Sequence, residues 1–193
     1  LKIATEVPSM RYRAVSLLVR AGYNKALVPV LEEIEGGDLG PRQLIWCCEA
    51  LGGTGDEAVL PALYSISQNP RADIAAAAKI QLAKMGDEDA AGEISAILND
   101  PESEIHRQVV DWVSTGVESP VLAAMLLEAL PSLRGGRALE ACTSLSLEGS
   151  SQGLEYLREI LVAGLPRGRF GVRAVEALEN SGSVEDLAYI KNQ

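Results

Sequence analysis

The chain has 193 residues, 27 Asp and Glu against 17 Lys and Arg for a net charge of −10, 47% hydrophobic residues and only eight aromatics, a balance that suits a folded, soluble chain and excludes disorder. Ala and Leu carry the apolar content, so a helical protein is the default, and the longest apolar run, Val121 to Leu127, is too short to cross a bilayer. Each half carries −5, which removes the broad basic field that binding to a nucleic-acid backbone needs.

At the start of the chain, Leu1 to Glu6 reads as the tail of a second helix from an earlier unit (residues 1–7 as a remnant), and Val7-Pro8 as a link. From there a repeat sets the organisation. Glycine recurs at Gly22, Gly55, Gly86, Gly116, Gly149 and Gly182, spaced by 33, 31, 30, 33 and 33 residues. Four residues before these stand Leu18, Leu51, Leu82, Trp112, Leu145 and Leu178; eight before stand Ala14, Cys47, Ala78, Gln108, Ala141 and Ala174. Positions four apart share a helix face, so each unit is predicted to open with a helix that turns these residues inward and ends at its glycine. Tolerance of positive φ suits glycine to that turn.

Polar residues follow as candidate caps, Asn24, Asp56, Asp87, Ser119 and Ser183, each leading into a second amphipathic helix. Its inward stripe reads Val28, Leu31, Ile34; Leu60, Leu63, Ile66; Ala91, Ile94, Ile97; Leu154, Leu157, Ile160; and Leu187, Ile190. Pro29 and Pro61 share a column early in this helix, where a missing N–H costs least. Gln68-Asn69-Pro70 and Asn99-Asp100-Pro101 act as links. The predicted architecture is all-α, an α-solenoid (superhelix) of six helix-pair repeats with approximate units 8–38, 39–70, 71–101, 102–133, 134–166 and 167–193, forming one domain over 1–193 as a right-handed stack.

The stretch Cys47 to Leu63, CCEALGGTGDEAVLPAL, resembles the HEAT-like repeat first described in phycobilisome bilin lyases. Units two and three match best, Lys25 to Leu31 (KALVPVL) repeats the second half, and units four to six keep the glycine and apolar columns in looser wording. The resemblance covers nearly all the chain. It implies a fold rather than a function, since such solenoids serve adaptors, inhibitors, lyases and glycosylases. It also implies that the second helices line a concave contact face. Neither end shows a polar capping unit, so further repeats, an oligomer or a partner is expected to cover an end.

Few residues suggest chemistry. Cys47 stands in the small-residue column, and Cys48 and Cys142 share a column with Val15, Val109 and Val175, so all three are expected in the core rather than as a chromophore-attaching site. They form neither a disulfide framework nor a metal motif, no leader is visible, and a reducing, cytoplasmic setting is expected. The single histidine, His106, reads as a surface residue near a helix start, without a second group for acid/base work. No catalytic residue, cofactor or metal is expected. Trp112 falls in the large apolar column and reads as core. Trp46 shares an outward column with Arg13, Arg107 and Arg173 and is a candidate contact anchor.

The predicted concave face carries Glu32, Glu33, Tyr64, Gln68, Glu93, Asn99, Glu128, Glu155, Tyr156 and Glu159, an acidic stripe with two tyrosines that suits a basic protein or peptide. A basic cluster, Arg134, Arg137, Arg167, Arg169 and Arg173, near the starts of the fifth and sixth first helices is a secondary candidate for phosphate or carboxylate, without a phosphate loop. The expected function is a non-catalytic protein-binding scaffold or adaptor. The alternative is a bilin lyase or chromophore-handling subunit. Likeness to HEAT-like DNA glycosylases would need a basic concave face, and nucleic acid is not an expected partner.

Overall fold

A computed structural model of the chain describes residues 8–161, 169–180 and 186. Among them are eleven α-helices and no strand: α1 (Pro8–Arg20), α2 (Val28–Gly36), α3 (Pro41–Gly52), α4 (Leu60–Ser67), α5 (Ala72–Lys84), α6 (Glu88–Leu98), α7 (His106–Thr115), α8 (Pro120–Ala129), α9 (Gly135–Leu147), α10 (Ser151–Leu161) and α11 (Arg169–Asn180). Short 3₁₀ turns cover Asn24–Leu27, Glu57–Val59 and Leu130–Ser132. The expected remnant at 1–7, Gly182, Ser183 and the stripe residues Leu187 and Ile190 lie outside the described residues. No helix among the described residues is long and apolar enough to cross a membrane.

Contacts group the chain into two units, Leu1–Ile94 and Ser95–Gln193. In the first, α1 packs on α3 and α3 on α5, while α4 lies against both α3 and α5. In the second, α7 packs on α9 and α9 on α11; α8 touches α7 and α9, and α10 touches α9 and α11. Within each unit, therefore, alternate helices form a row, and α4, α8 and α10 each lie against two of its members. Each helix buries its apolar stripe against other helices, the helix-on-helix solution to a one-sided core.

The glycines end helices largely as their spacing predicts. Gly22, Gly86 and Gly149 have φ of 91°, 95° and 88°, and the residue after each donates back into the helix: Tyr23 N–H to Leu18 O at 2.9 Å, Asp87 N–H to Leu82 O at 3.1 Å, Ser150 N–H to Leu145 O at 2.9 Å. That is the Schellman closure, which satisfies carbonyls that would otherwise be orphaned. Gly116 departs from the expectation, with φ −112° at the end of α7. Here the small size matters instead, because a Cβ would stand 2.9 Å from Leu122 Cδ1.

Burial follows the first-helix columns in most units: Cys47, Ala78, Ala141 and Ala174 are fully buried, as are Leu51, Leu82, Leu145 and Leu178. Four positions correct the reading. Gln108 is exposed, Ala14 and Trp112 are half-buried, and Leu18 is 39% exposed. The second helices need a larger correction. Their central residues Leu63, Ile94 and Leu157 are buried as expected, but the stripe runs in steps of four, Ala90, Ile94, Leu98 and Gly153, Leu157, Leu161, with Ala91, Ile97, Leu154 and Ile160 only half-buried. At 3.6 residues per turn a step of four overshoots by about 40° and a step of three falls short by about 60°, so steps of four stay closer to one contact line. In α2 the buried residues are Val30 and the preceding Leu27, while Val28 is exposed.

Small residues let helices approach. A Cβ at Gly153 in α10 would lie 2.6 Å from the Leu145 Cβ of α9, and one at Gly52 in α3 would collide with the Gln81 side chain of α5. Asp56 and Asp87 cap as expected, their Oδ1 atoms accepting from Ala58 N–H at 2.9 Å and Ala90 N–H at 2.7 Å. Ser119 stands at the cap of α8 without a side-chain bond, and Asn24 lies within a 3₁₀ turn. Pro29 and Pro61 occupy the first turns of α2 and α4, where no hydrogen bond is lost.

Candidate functional site

Five of the partner-face residues fall in the first unit and five in the second. In the first, Glu32 stands exposed on α2, Tyr64 on α4, Gln68 just beyond its end, and Glu93 on α6. Tyr64 is 47% exposed and its hydroxyl donates to Asp87 Oδ2 at 2.5 Å, linking α4 to the cap of α6. That hydrogen bond holds the Asp87 carboxyl below the usual carboxylate range and pushes the Tyr64 phenol up. Gln68 Nε2 donates to Ser67 Oγ at 3.2 Å, and Lys79 of α5 forms an ion pair with Glu93.

Glu33 is placed differently from the expectation. It is half-buried, pairs with Arg11 and accepts from the Tyr12 hydroxyl at 2.9 Å, so it ties α2 back to α1 instead of facing a partner. Tyr12 itself is 2% exposed, and burial together with neighbouring Cys47 pushes its hydroxyl pKa up. An aromatic ring followed at a distance by a carboxylate has no local signature, and this cluster could not be read from spacing.

In the second unit Glu128 is exposed on α8, and Glu155 and Glu159 on α10, four residues apart and so on one face, with Tyr156 half-buried beside them. Asn99 is exposed just beyond α6, its amide donating to Ser95 O at 3.0 Å. Arg158 grips the buried Asp186 through two hydrogen bonds, at 2.8 and 2.6 Å, a bidentate geometry suited to positioning.

The described arginines of the basic cluster all have partners inside the fold. Arg134 Nη1 donates to the carbonyls of Pro131 and Leu133, at 2.5 and 2.8 Å. Arg173 reaches Glu140 at 3.4 Å and Ser144 at 3.2 Å. Arg137 bonds His106 Nδ1. Arg167 and the Arg169 side chain lie outside the described residues. His106, expected at the surface, is 2% exposed, with Nε2 at 3.1 Å from Leu98 O. A carbonyl only accepts, so the proton is assigned to Nε2 and Nδ1 accepts from Arg137.

Trp46 is half-buried on α3, with the Arg42 guanidinium 5.3 Å above its ring, a cation–π contact that holds the indole against its own helix. Cys47, Cys48 and Cys142 are fully buried, and burial pushes the Cys47 and Cys142 thiols up to about 12 and Cys48 up as well. Such thiols are poor nucleophiles. Among the described residues no three His, Cys, Asp or Glu side chains come together as a metal site requires. No protein-family model matches the chain, and no curated protein matches it.

Proposed function

We propose that the chain is a HEAT-like α-solenoid that serves as a non-catalytic interaction scaffold, binding a basic protein or peptide on the acidic faces of its second helices. The observation that carries the reading is the exposure of Glu32, Tyr64 and Glu93 in the first unit and of Glu128, Glu155 and Glu159 in the second. Each unit offers carboxylates, and the first adds an exposed phenol ring, a pairing that favours cationic side chains. The solenoid part of the reading is supported by contacts that join residues one repeat apart: Asn24 with Asp56, His106 with Arg137 and Glu140 with Arg173, separated by 32, 31 and 33 residues. Such neighbour-to-neighbour contacts are how a repeat array is held.

The test is capture of partners from a lysate of the source cells, read by mass spectrometry, with native protein and with a variant carrying Glu32→Lys, Glu93→Lys, Glu155→Lys and Glu159→Lys. Glu33 is left in place because it holds α1 and α2 together. A partner that native protein retains at low salt, releases as salt screens the charge, and loses in the folded variant is the expected result. Equal capture by both proteins would reject the acidic faces as the binding surface.

A further inference from the structure

His106 is the chain's one histidine, and it stands buried at the first residue of α7. Its ring is engaged at both nitrogens, Nε2 donating to Leu98 O at the last residue of α6 and Nδ1 accepting from Arg137 in the first turn of α9. One side chain therefore joins three helix ends. The arrangement needs a neutral imidazole, because only then does Nδ1 keep a lone pair for the guanidinium.

The surroundings decide what a second ring proton would meet. Neither α7 nor α9 has a carboxylate in its first turn, and α9 has no side-chain cap, so the ring stands at two helix N-termini, which carry partial positive charge. Arg134 adds a second guanidinium at the cap of α9, held on Pro131 O and Leu133 O. The acidic groups on neighbouring segments are engaged or turned outward. Asp100, Glu102 and Glu104 are exposed in the turn before α7, Glu128 is exposed on α8, and Glu140 of α9 pairs with Arg173. Further along α7, Arg107 is exposed and Asp111 half-buried, and the last turn of α6 has no charged side chain. Among the described residues no carboxylate bonds the ring.

We propose that His106 and Arg137 form an acid-sensitive latch: the neutral ring holds the first turn of α9 to the start of α7, and proton uptake at Nδ1 releases it. A protonated ring turns a donor toward the donors of Arg137, so the bond is lost and two cations stand where one stood. The proton comes from solvent, and no covalent bond changes. Histidine is the side chain that ordinarily changes charge between pH 5 and 8, and this chain has no second one. Val109, Val110 and Val113 stay buried further along α7, which confines the release to the helix starts. The latch is independent of the acidic second-helix faces and of their function.

The test is an NMR titration of the full chain, labelled with nitrogen-15, between pH 8 and pH 5. At the alkaline end the ring signals of the single histidine are expected to show the tautomer with its proton on Nε2. As the ring takes up its second proton, the backbone amides of Gly136, Ala138 and Leu139 are expected to move in step with it. In His106→Asn, whose amide oxygen takes the place of Nδ1 without ionising, those amides should stay still. In Arg137→Met the ring should still titrate while the amides lose most of their response. Glu49, whose carboxyl is pushed up by desolvation, lies on α3 in the first unit, so its titration is read on separate signals. A proton on Nδ1 at the alkaline end, a ring that stays neutral throughout, or an α9 response that survives in His106→Asn would each overturn the proposal. If His106→Asn fails to fold by circular dichroism, an α9 response undiminished in Arg137→Met would overturn it instead.

Discussion

Tyr64 occupies two roles that are separable by titration. Its ring is exposed, and the proposed function would use it as a contact, while its hydroxyl is engaged with Asp87, the residue that also caps α6 through Ala90 N–H. Because the bond lowers the folded-state pKa of Asp87, the stabilisation it gives is present above the unfolded value of about 3.9 and is lost as pH falls through the folded value. An NMR titration of the Asp87 carboxyl should therefore give a midpoint below that of a free aspartate. In Tyr64→Phe the midpoint should rise, though not fully, since the Ala90 N–H remains. An unchanged midpoint would mean that the pair does not persist in solution. Of the residues with a candidate role, the exposed carboxylates were legible because a polar residue on an amphipathic helix has a predictable phase. Glu33 and His106 were not, because their placement depends on Tyr12, Arg11, Arg137 and Leu98, none of which is a sequence neighbour.

At the scale of the element, one glycine column serves two different physical ends. Gly86 closes α5 at φ 95°, and nothing lies near the position its Cβ would take. Gly86→Ala should then cost about 1–2 kcal/mol through backbone strain, with no relief from trimming any side chain. Gly116 sits at φ −112°, where alanine is comfortable, and its Cβ would meet Leu122. Gly116→Ala should destabilise by overpacking, about 1–3 kcal/mol, and Leu122→Ala should absorb most of that cost in a double-mutant cycle. Additive costs in the second pair, measured by denaturant unfolding, would contradict the packing explanation. The same contrast explains the error in the second-helix stripe. Periodicity located its centre, Leu63, Ile94 and Leu157, but in α10 the burial of Gly153 in place of Leu154 goes with the close approach of Gly153 to Leu145 of α9.

For the whole molecule, stability is expected to reside in contacts between neighbouring helices and to respond locally. Leu63 is fully buried on α4, which packs on both α3 and α5. Leu63→Ala should cost about 2–5 kcal/mol in denaturant unfolding. Hydrogen exchange should speed first in α3, α4 and α5, because these three helices pack on one another. Unfolding unchanged from the native chain would reject the assignment of this column to the core.

The sequence alone determined that the chain is helical and where most of its helices turn, because helix periodicity and the glycine turn are local properties expressed within a few residues. Cys47 and Leu51 already marked the buried face of one such helix, although α3 ends at Gly52, three residues before the expected Gly55. Tertiary structure alone decided which polar groups remain available. Glu33, Arg137 and Arg173 look like surface charges in a helical pattern, and each is drawn inward by a partner 21 to 33 residues away. It also decided that Leu17 and Leu18, apolar in the same register as their buried counterparts, stay exposed. Burial depends on what lies opposite a side chain, and no property of the helix itself supplies that.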